Sequence, residues 1–144
     1  MWCVAWAISY PWRDSLLFNN AKMWIVAPLF WAVSIFMYVN GGRGLSLMRV
    51  IGADELEPEK RPQLLVTSGV HRRVRHPIYL GHICTMLGWA IGAGTVACFG
   101  LVAFALISGA AMIRYEEREL HARFGEAWEE YCAHTPAIFP IRKR

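Results

Sequence analysis

Charge is scarce in this chain, and its distribution is uneven. Asp, Glu, Lys and Arg make up 18% of the 144 residues, and the 37 residues from Pro77 to Ile113 contain none of the four. A soluble domain is about one quarter charged, with the charges spread over its surface, so a single soluble globule is excluded. Metal-ligand spacing is also lacking. Cys3, Cys84, Cys98 and Cys132 form no CxxC pair and no Cys/His set, so neither a metal site nor a disulfide framework is expected, and the cysteines read as small buried apolar residues. The apolar, Trp-containing Met1–Tyr10 has no basic region before it and no small-residue cleavage site. It reads as a partial span or an interfacial helix and not as a signal peptide. There is no repeat and no low-complexity tract. The one linker-like stretch, Asp54–Pro62, is kept from continuous helix by Pro58 and Pro62. The pI of about 9.1 comes with no groove-reading motif, which excludes nucleic acid as a partner.

What is present points to a bilayer. Hydrophobic residues reach 56%, seven are tryptophan, and the mean hydropathy is +0.29. Residues 1–144 read as one domain, an all-α integral membrane protein with three to four transmembrane helices. One crossing takes about 20 apolar residues, so the uncharged run is too long for one span. The cluster Gly92, Gly94, Thr95 divides it into a tight helical hairpin with arms at about 78–91 and 95–115. Residues 23–39 form a further candidate span, with Pro28 in its first turns, where proline is best tolerated. Lys and Arg number seven in segment 40–77, six in segment 114–144 and two, Arg13 and Lys22, elsewhere. This bias puts the long loop and the C-terminal segment 116–144 in the cytosol, with the hairpin turn outside. The expected location is the inner (cytoplasmic) membrane if the source is bacterial.

Two stretches carry more than a topology signal. In "VHRRVRHPIYLGH" (70–82), Pro77 can open a helix at its first position, where its missing N–H would be unpaired anyway. His76 then lies just outside and Tyr79 one turn in, at a helix end that favours anions. Gly69 and Gly81 allow close backbone approach, while Arg72 and Arg73 suffice as topology anchors. In "MIRYEERELHARFGEAWEEY" (112–131), helical spacing aligns Ile113, Leu120, Phe124, Trp128 and Tyr131 in one apolar stripe. Glu117 falls inside the stripe, with Glu116 beside it, and Glu119 and Arg123 form an ordinary outward i,i+4 pair. A carboxylate in such a stripe at the membrane boundary needs a partner, either a structural ion pair with Arg75 or Arg114 or a bound ligand. The hairpin returns both stretches to the cytosolic face, so one polar ligand with a carboxylate and cationic groups would suit them. From chemistry alone S-adenosylmethionine is one such zwitterion among several.

"LLVTSGVHRRVRHPIYLGH" followed, after a membrane hairpin, by "EERELHARFGEAWEEYCAHTPAIFP" resembles the integral-membrane methyltransferase family of isoprenylcysteine carboxyl methyltransferase and the phospholipid (phosphatidylethanolamine) N-methyltransferases. The similarity covers roughly 63–140 and keeps the family's order: Gly-x5-Arg-His-Pro-x-Tyr, hairpin, acidic pair, Phe-Gly-x-x-(Trp/Tyr)-x-x-Tyr. The resemblance implies an S-adenosyl-L-methionine cofactor at the cytosolic face, held by the loop before the hairpin and the C-terminal helix. Gln63, Leu64, Leu65 and Val66 match the segment that contacts cofactor through its backbone. Arg75, His76, Pro77, Ile78 and Tyr79 match the motif, with Gly69 and His71 just ahead of it, and Glu116 and Glu117 match the acidic pair. Arg114 is the candidate on the acceptor side. Three departures stand out: His71 where tyrosine is common, Ala137 where arginine is frequent, and an amino-terminal part short for the family. The last implies a minimal member or one that completes its bundle by self-association.

The implied reaction is methyl transfer to a lipophilic small molecule or lipid reaching the site from the membrane, which depends chiefly on in-line positioning in a dry site. Arg114 would orient a carboxylate acceptor; an amine would need a base, for which His71 and Glu116 are the candidates. Whether the methyl goes to oxygen, nitrogen or sulfur is left open. Two other classes compete. Sterol reductases share a related architecture and use a nicotinamide cofactor, but generally have more spans. A non-enzymatic protein touching anionic lipid through Arg72, Arg73 and Arg75 would tolerate replacement of Tyr79 and Glu117.

Overall fold

The structure, a computed structural model, describes residues 10–12, 14–43 and 64–139. Cys3, Gln63, the stretch 1–9 and the linker-like 54–62 lie outside the described residues. Four α-helices are present and, among the described residues, no strand: α1 (Met23–Gly42), α2 (Pro77–Ala93), α3 (Val96–Phe124) and α4 (Glu126–His134). Short 3₁₀ turns cover Tyr10–Trp12 and Gly69–Arg72.

α1 begins at the expected residue and runs three residues further, through Gly41 and Gly42. The glycines do not stop it because Gly41 is a packing position: a Cβ there would stand 3.0 Å from Cγ of Pro77. Its end is closed by Asn40, whose amide donates to the Phe36 carbonyl and accepts from Arg43. α2 starts at Pro77 with His76 as its cap residue, and it ends at Gly94, in the left-handed region at φ 65°. A Cβ on Gly94 would lie 2.3 Å from the Phe18 carbonyl oxygen. Thr95 then caps α3 by accepting from the Cys98 N–H, so one Gly-Thr pair closes one helix and opens the next. Residues 15–18 brace this turn: Leu17 N–H donates to the Gly94 carbonyl, and Val96 N–H to that of Ser15.

α1 and α2 pack along their length through small residues. Ala27, Ser34 and Gly41, seven apart, are buried on α1, while Gly81, Gly88 and Gly92 of α2 receive the rings of Tyr38, Trp31 and Trp24. This is how helices associate where lipid removes the hydrophobic drive between them. One polar contact crosses the seam: Thr85 gives its hydroxyl proton to the Gly81 carbonyl, so Ser34 donates to Thr85, at 2.6 Å. α3 packs on α2 over only part of its length, burying just Ala97, Val102 and Ile113, while Ile107 stands 74% exposed. α1 and α3 are each long and apolar enough to cross a membrane, whereas α2, at 17 residues, meets the lower limit of about 17.

Two expectations are corrected. The stripe from Ile113 to Tyr131 does not lie on one helix, because the chain breaks at Gly125, with φ 52°, and restarts as α4. Among the described residues, Cys84 alone of the cysteines is buried; Cys98 and Cys132 are half-buried, and all three are free thiols. Gly69 also works differently from the reading above. Nothing lies within 4 Å of where its Cβ would be, and what it supplies is φ 63° at the mouth of the turn.

Candidate functional site

Residues 64–76 approach α2 as an extended segment and one 3₁₀ turn. The turn is held by His71 N–H to the Ser68 carbonyl and Arg73 N–H to that of Val70, with Val74 fully buried beneath it. It delivers Arg75 and His76 side by side to the start of α2. From the other direction α3 continues past the apolar run by about three turns and delivers Glu116 and Glu117.

The two meet. Oε1 of Glu117 accepts from Arg75 Nε at 3.1 Å and Nη2 at 2.5 Å, and it lies 3.2 Å from His76 Nε2. The other His76 ring nitrogen, Nδ1, lies 3.6 Å from Glu116 Oε2. Each nitrogen of this buried imidazole thus faces a carboxylate, Nε2 within hydrogen-bonding reach. The Tyr79 ring packs edge-on against His76 with centroids 5.7 Å apart, which brings its hydroxyl to Glu116. Oε2 of Glu117 has no partner among the described residues. Glu117 also lines a hollow of about 350 Å³ together with Arg114, Arg118 and His121.

Arg75 is committed to more than one acid. Its Nη1 donates to the carbonyls of Thr135 at 2.5 Å and Cys132 at 3.4 Å, satisfying the C-terminal end of α4. Its guanidinium also lies 5.6 Å from the centroid of the Trp128 ring. Backbone bonds run in parallel with this: Arg75 N–H to the Pro136 carbonyl and His76 N–H to that of Ala137, both 2.9 Å. The Tyr131 hydroxyl adds a further tie by donating to the His71 carbonyl at 2.6 Å. Burial pushes the Tyr131 hydroxyl up to about 12, with Arg75 pulling the other way. The Cys132 thiol is likewise raised by burial, against the pull of Arg75 and with help from Glu117 and Glu129, so it stays protonated and weakly nucleophilic.

Of the residues expected from sequence, Arg75, His76, Tyr79, Glu116 and Glu117 come together, and Arg114 joins them across the hollow. Pro77 and Ile78 sit at the helix start with their side chains against Gly41. Leu64 is exposed, and Leu65 and Val66 are half-buried in the approach segment. His71 stands apart: it is buried, with Nε2 3.0 Å from the Gly41 carbonyl and Nδ1 3.3 Å from that of Arg75. Two backbone carbonyls flank its ring, so whichever nitrogen carries the proton ties the loop either to the end of α1 or to the Arg75 carbonyl. Sequence reasoning missed Arg118 and His121. Their spacing from Arg114, four and seven residues, was the available signal.

A family profile for phospholipid methyltransferases matches residues 15–127. Among curated relatives, the cobalt-zinc-cadmium resistance protein CzcN of Cupriavidus metallidurans is 35% identical over 82 residues, 56% of this chain and 38% of that protein. Protein-S-isoprenylcysteine O-methyltransferase B of Arabidopsis thaliana is 35% identical over 54% of this chain and 40% of its own length. The Delta(14)-sterol reductase TM7SF2 of Mus musculus is 33% identical over 60% of this chain and 21% of its own. The match to the first two relatives spans about two fifths of their length. No solved structure matches.

Proposed function

As the chain belongs to the phospholipid methyltransferase family, we propose that it transfers a methyl group from S-adenosyl-L-methionine to a lipophilic acceptor at the membrane. The acceptor chemistry we favour is that of the isoprenylcysteine O-methyltransferases. The observation that carries the reading is the Glu117 carboxylate, which accepts from Arg75 beside His76 through Oε1 and lines a hollow with Arg114, Arg118 and His121. A carboxylate held through one oxygen keeps acceptor capacity on the other for a ligand.

The residues present fit that cofactor. Glu117 and Glu116 offer acceptors for ammonium and hydroxyl groups, and the basic side chains offer donors for a carboxylate. When bound, it supplies a methyl carbon made electrophilic by its sulfonium. The chain's own work is positional. His76 and Arg75 fix Glu117, and Tyr79 is placed against Glu116 by the first turn of α2. Arg114 can orient an incoming carboxylate, and Glu116, 45% exposed on its side chain, can accept a proton if the acceptor is an amine. The uncharged run and the cytosolic bias of Lys and Arg support three spans, α1, α2 and α3, with the site facing the cytosol.

The test is calorimetric titration of the detergent-purified protein with S-adenosylhomocysteine, beside the Glu117→Gln variant. Saturable binding that weakens about tenfold or more in the variant is expected. No binding to a folded, monodisperse wild-type sample would overturn the reading. The family profile favours phospholipid N-methylation as the second reading; an acceptor screen pairing a lipophilic thioether acid with phosphatidylethanolamine separates the two.

A further inference from the structure

A carbonyl oxygen only accepts, so an imidazole nitrogen bonded to one must carry a proton. Both nitrogens of His71 face carbonyls: Nε2 lies 3.0 Å from that of Gly41 and Nδ1 3.3 Å from that of Arg75. A neutral ring can satisfy one of them and sets a bare lone pair against the other. A ring with two protons satisfies both. The Gly41 carbonyl is among the last four of α1, which have no partner inside the helix, and this end of a helix favours a cationic side chain. The Arg75 carbonyl has no other donor among the described residues. His71 is buried, so water is a poor replacement for a missing donor.

The charged and titratable groups around this segment are Arg43 at the end of α1, Arg72, Arg73 and Arg75 in its own strand of chain, His76 at the start of α2, and Tyr131 and Cys132 on α4. Arg75 is paired with Glu117, Tyr131 donates to the His71 carbonyl, and no acid lies within ion-pair distance of His71 among the described residues. The bond from Nδ1 falls on the peptide unit that links Arg75 to His76. The N–H of that same unit donates to the Ala137 carbonyl at 2.9 Å, so the peptide is gripped at both ends, and the side chains on either side of it hold Glu117. We propose that His71 is a positioning residue that works as an imidazolium, its two protons bridging the Gly41 and Arg75 carbonyls and locking the Arg75–His76 peptide to the end of α1. Loss of one proton frees one carbonyl, and the longer bond, that to Arg75, is given up. Imidazoles exchange this proton between about pH 5 and 8, so the bridge is complete at the acid end of that window and opens toward the alkaline end. The bridge does not depend on the function proposed above; its effect on cofactor affinity rests on that reading.

The test is nitrogen-15 NMR of the histidine-labelled full chain in detergent across this window, with His71 assigned by its absence in His71→Tyr or His71→Gln, neither of which changes charge there. Both His71 nitrogens are expected to carry protons at the acid end, with Nδ1 losing its proton and Nε2 keeping it as the pH rises. Calorimetry of the same proteins with S-adenosylhomocysteine gives the functional readout. Wild type should bind about three- to tenfold more tightly than either variant at the acid end, narrowing to within about twofold at the alkaline end. The ratio at each pH cancels His76, Glu116 and Glu117, which all three proteins share, whereas a merely loosened fold would weaken binding by one factor throughout. A constant ratio, or a His71 ring with a single proton across the whole window, would overturn the proposal. Absence of binding in a wild type whose His71 carries both protons retains the bridge and removes methyl transfer.

Discussion

Arg75 joins two parts of the chain: it donates to Glu117 in α3 and to two carbonyls at the end of α4, and its face lies over Trp128 of α4. Its side chain is 11% exposed and that of Glu117 27%, so removing one leaves the other partly desolvated and alone. Arg75→Met is expected to cost about 3 kcal/mol, the lower end of the buried-pair range because Glu117 keeps some contact with water, measured as a lowered unfolding midpoint in detergent. Arg75→Lys should recover charge without the fork, and so only part of the loss. By contrast Arg72 and Arg73 are exposed, and a double change to lysine should leave methyl transfer intact where His76→Ala abolishes it, read in one radiolabel assay. Tyr131 gives a pH signature. Its hydroxyl sits at about 12 in the fold against an ordinary 10.0, so folding favours the neutral form. That contribution is complete below pH 10 and is lost as pH rises toward 12, because the unfolded chain releases its proton first. The wild-type unfolding midpoint should fall across that window, with a shallower slope in Tyr131→Phe. The sequence singled out Glu117 as an acid needing a partner and named Arg75 as one possibility. It did not reveal that the same arginine also caps α4, since carbonyl acceptors leave no trace in residue identity.

The helices themselves were readable because charge, proline and glycine mark their ends. α1 starts at the expected residue, and the hairpin turn falls within two residues of expectation at Gly94 and Thr95, while the second helix runs nine residues past the expected 115 to Phe124. Gly125 was not read, although a glycine after Phe124 is an ordinary helix-ending signal. The apolar stripe runs on through Trp128 and Tyr131 in near-perfect helical register and hides the break, and only the backbone at φ 52° exposes it. The two glycines predict different costs. Gly94→Ala must place a Cβ 2.3 Å from the Phe18 oxygen as well as adopt φ 65°, so a loss above about 2 kcal/mol is expected. Gly125→Ala meets nothing within 4 Å and should cost about 1–2 kcal/mol from its backbone alone, without the added clash. Thermal unfolding of the two variants in one detergent gives the comparison.

Across the whole molecule, the uncharged run and the lysine and arginine bias fixed the expectation of a membrane protein, and exposed apolar helices such as α3 agree with it. Packing was the part that sequence could not supply. The fit of Tyr38, Trp31 and Trp24 over Gly81, Gly88 and Gly92 requires the register between α1 and α2, which no local pattern encodes. The proposed orientation has a direct check: trypsin applied to sealed inside-out vesicles should cut at Arg72, Arg73 and Arg118, and from the opposite side only at Lys22 and Arg13. The two backbone bonds from Arg75 and His76 to Pro136 and Ala137 have a consequence for truncation. Among the described residues, the helices long and apolar enough to cross a membrane end by Phe124, so a chain cut short between there and Ala137 would keep every such helix and lose the strap. Such a truncated protein should still partition into membranes while lacking the site's two backbone ties.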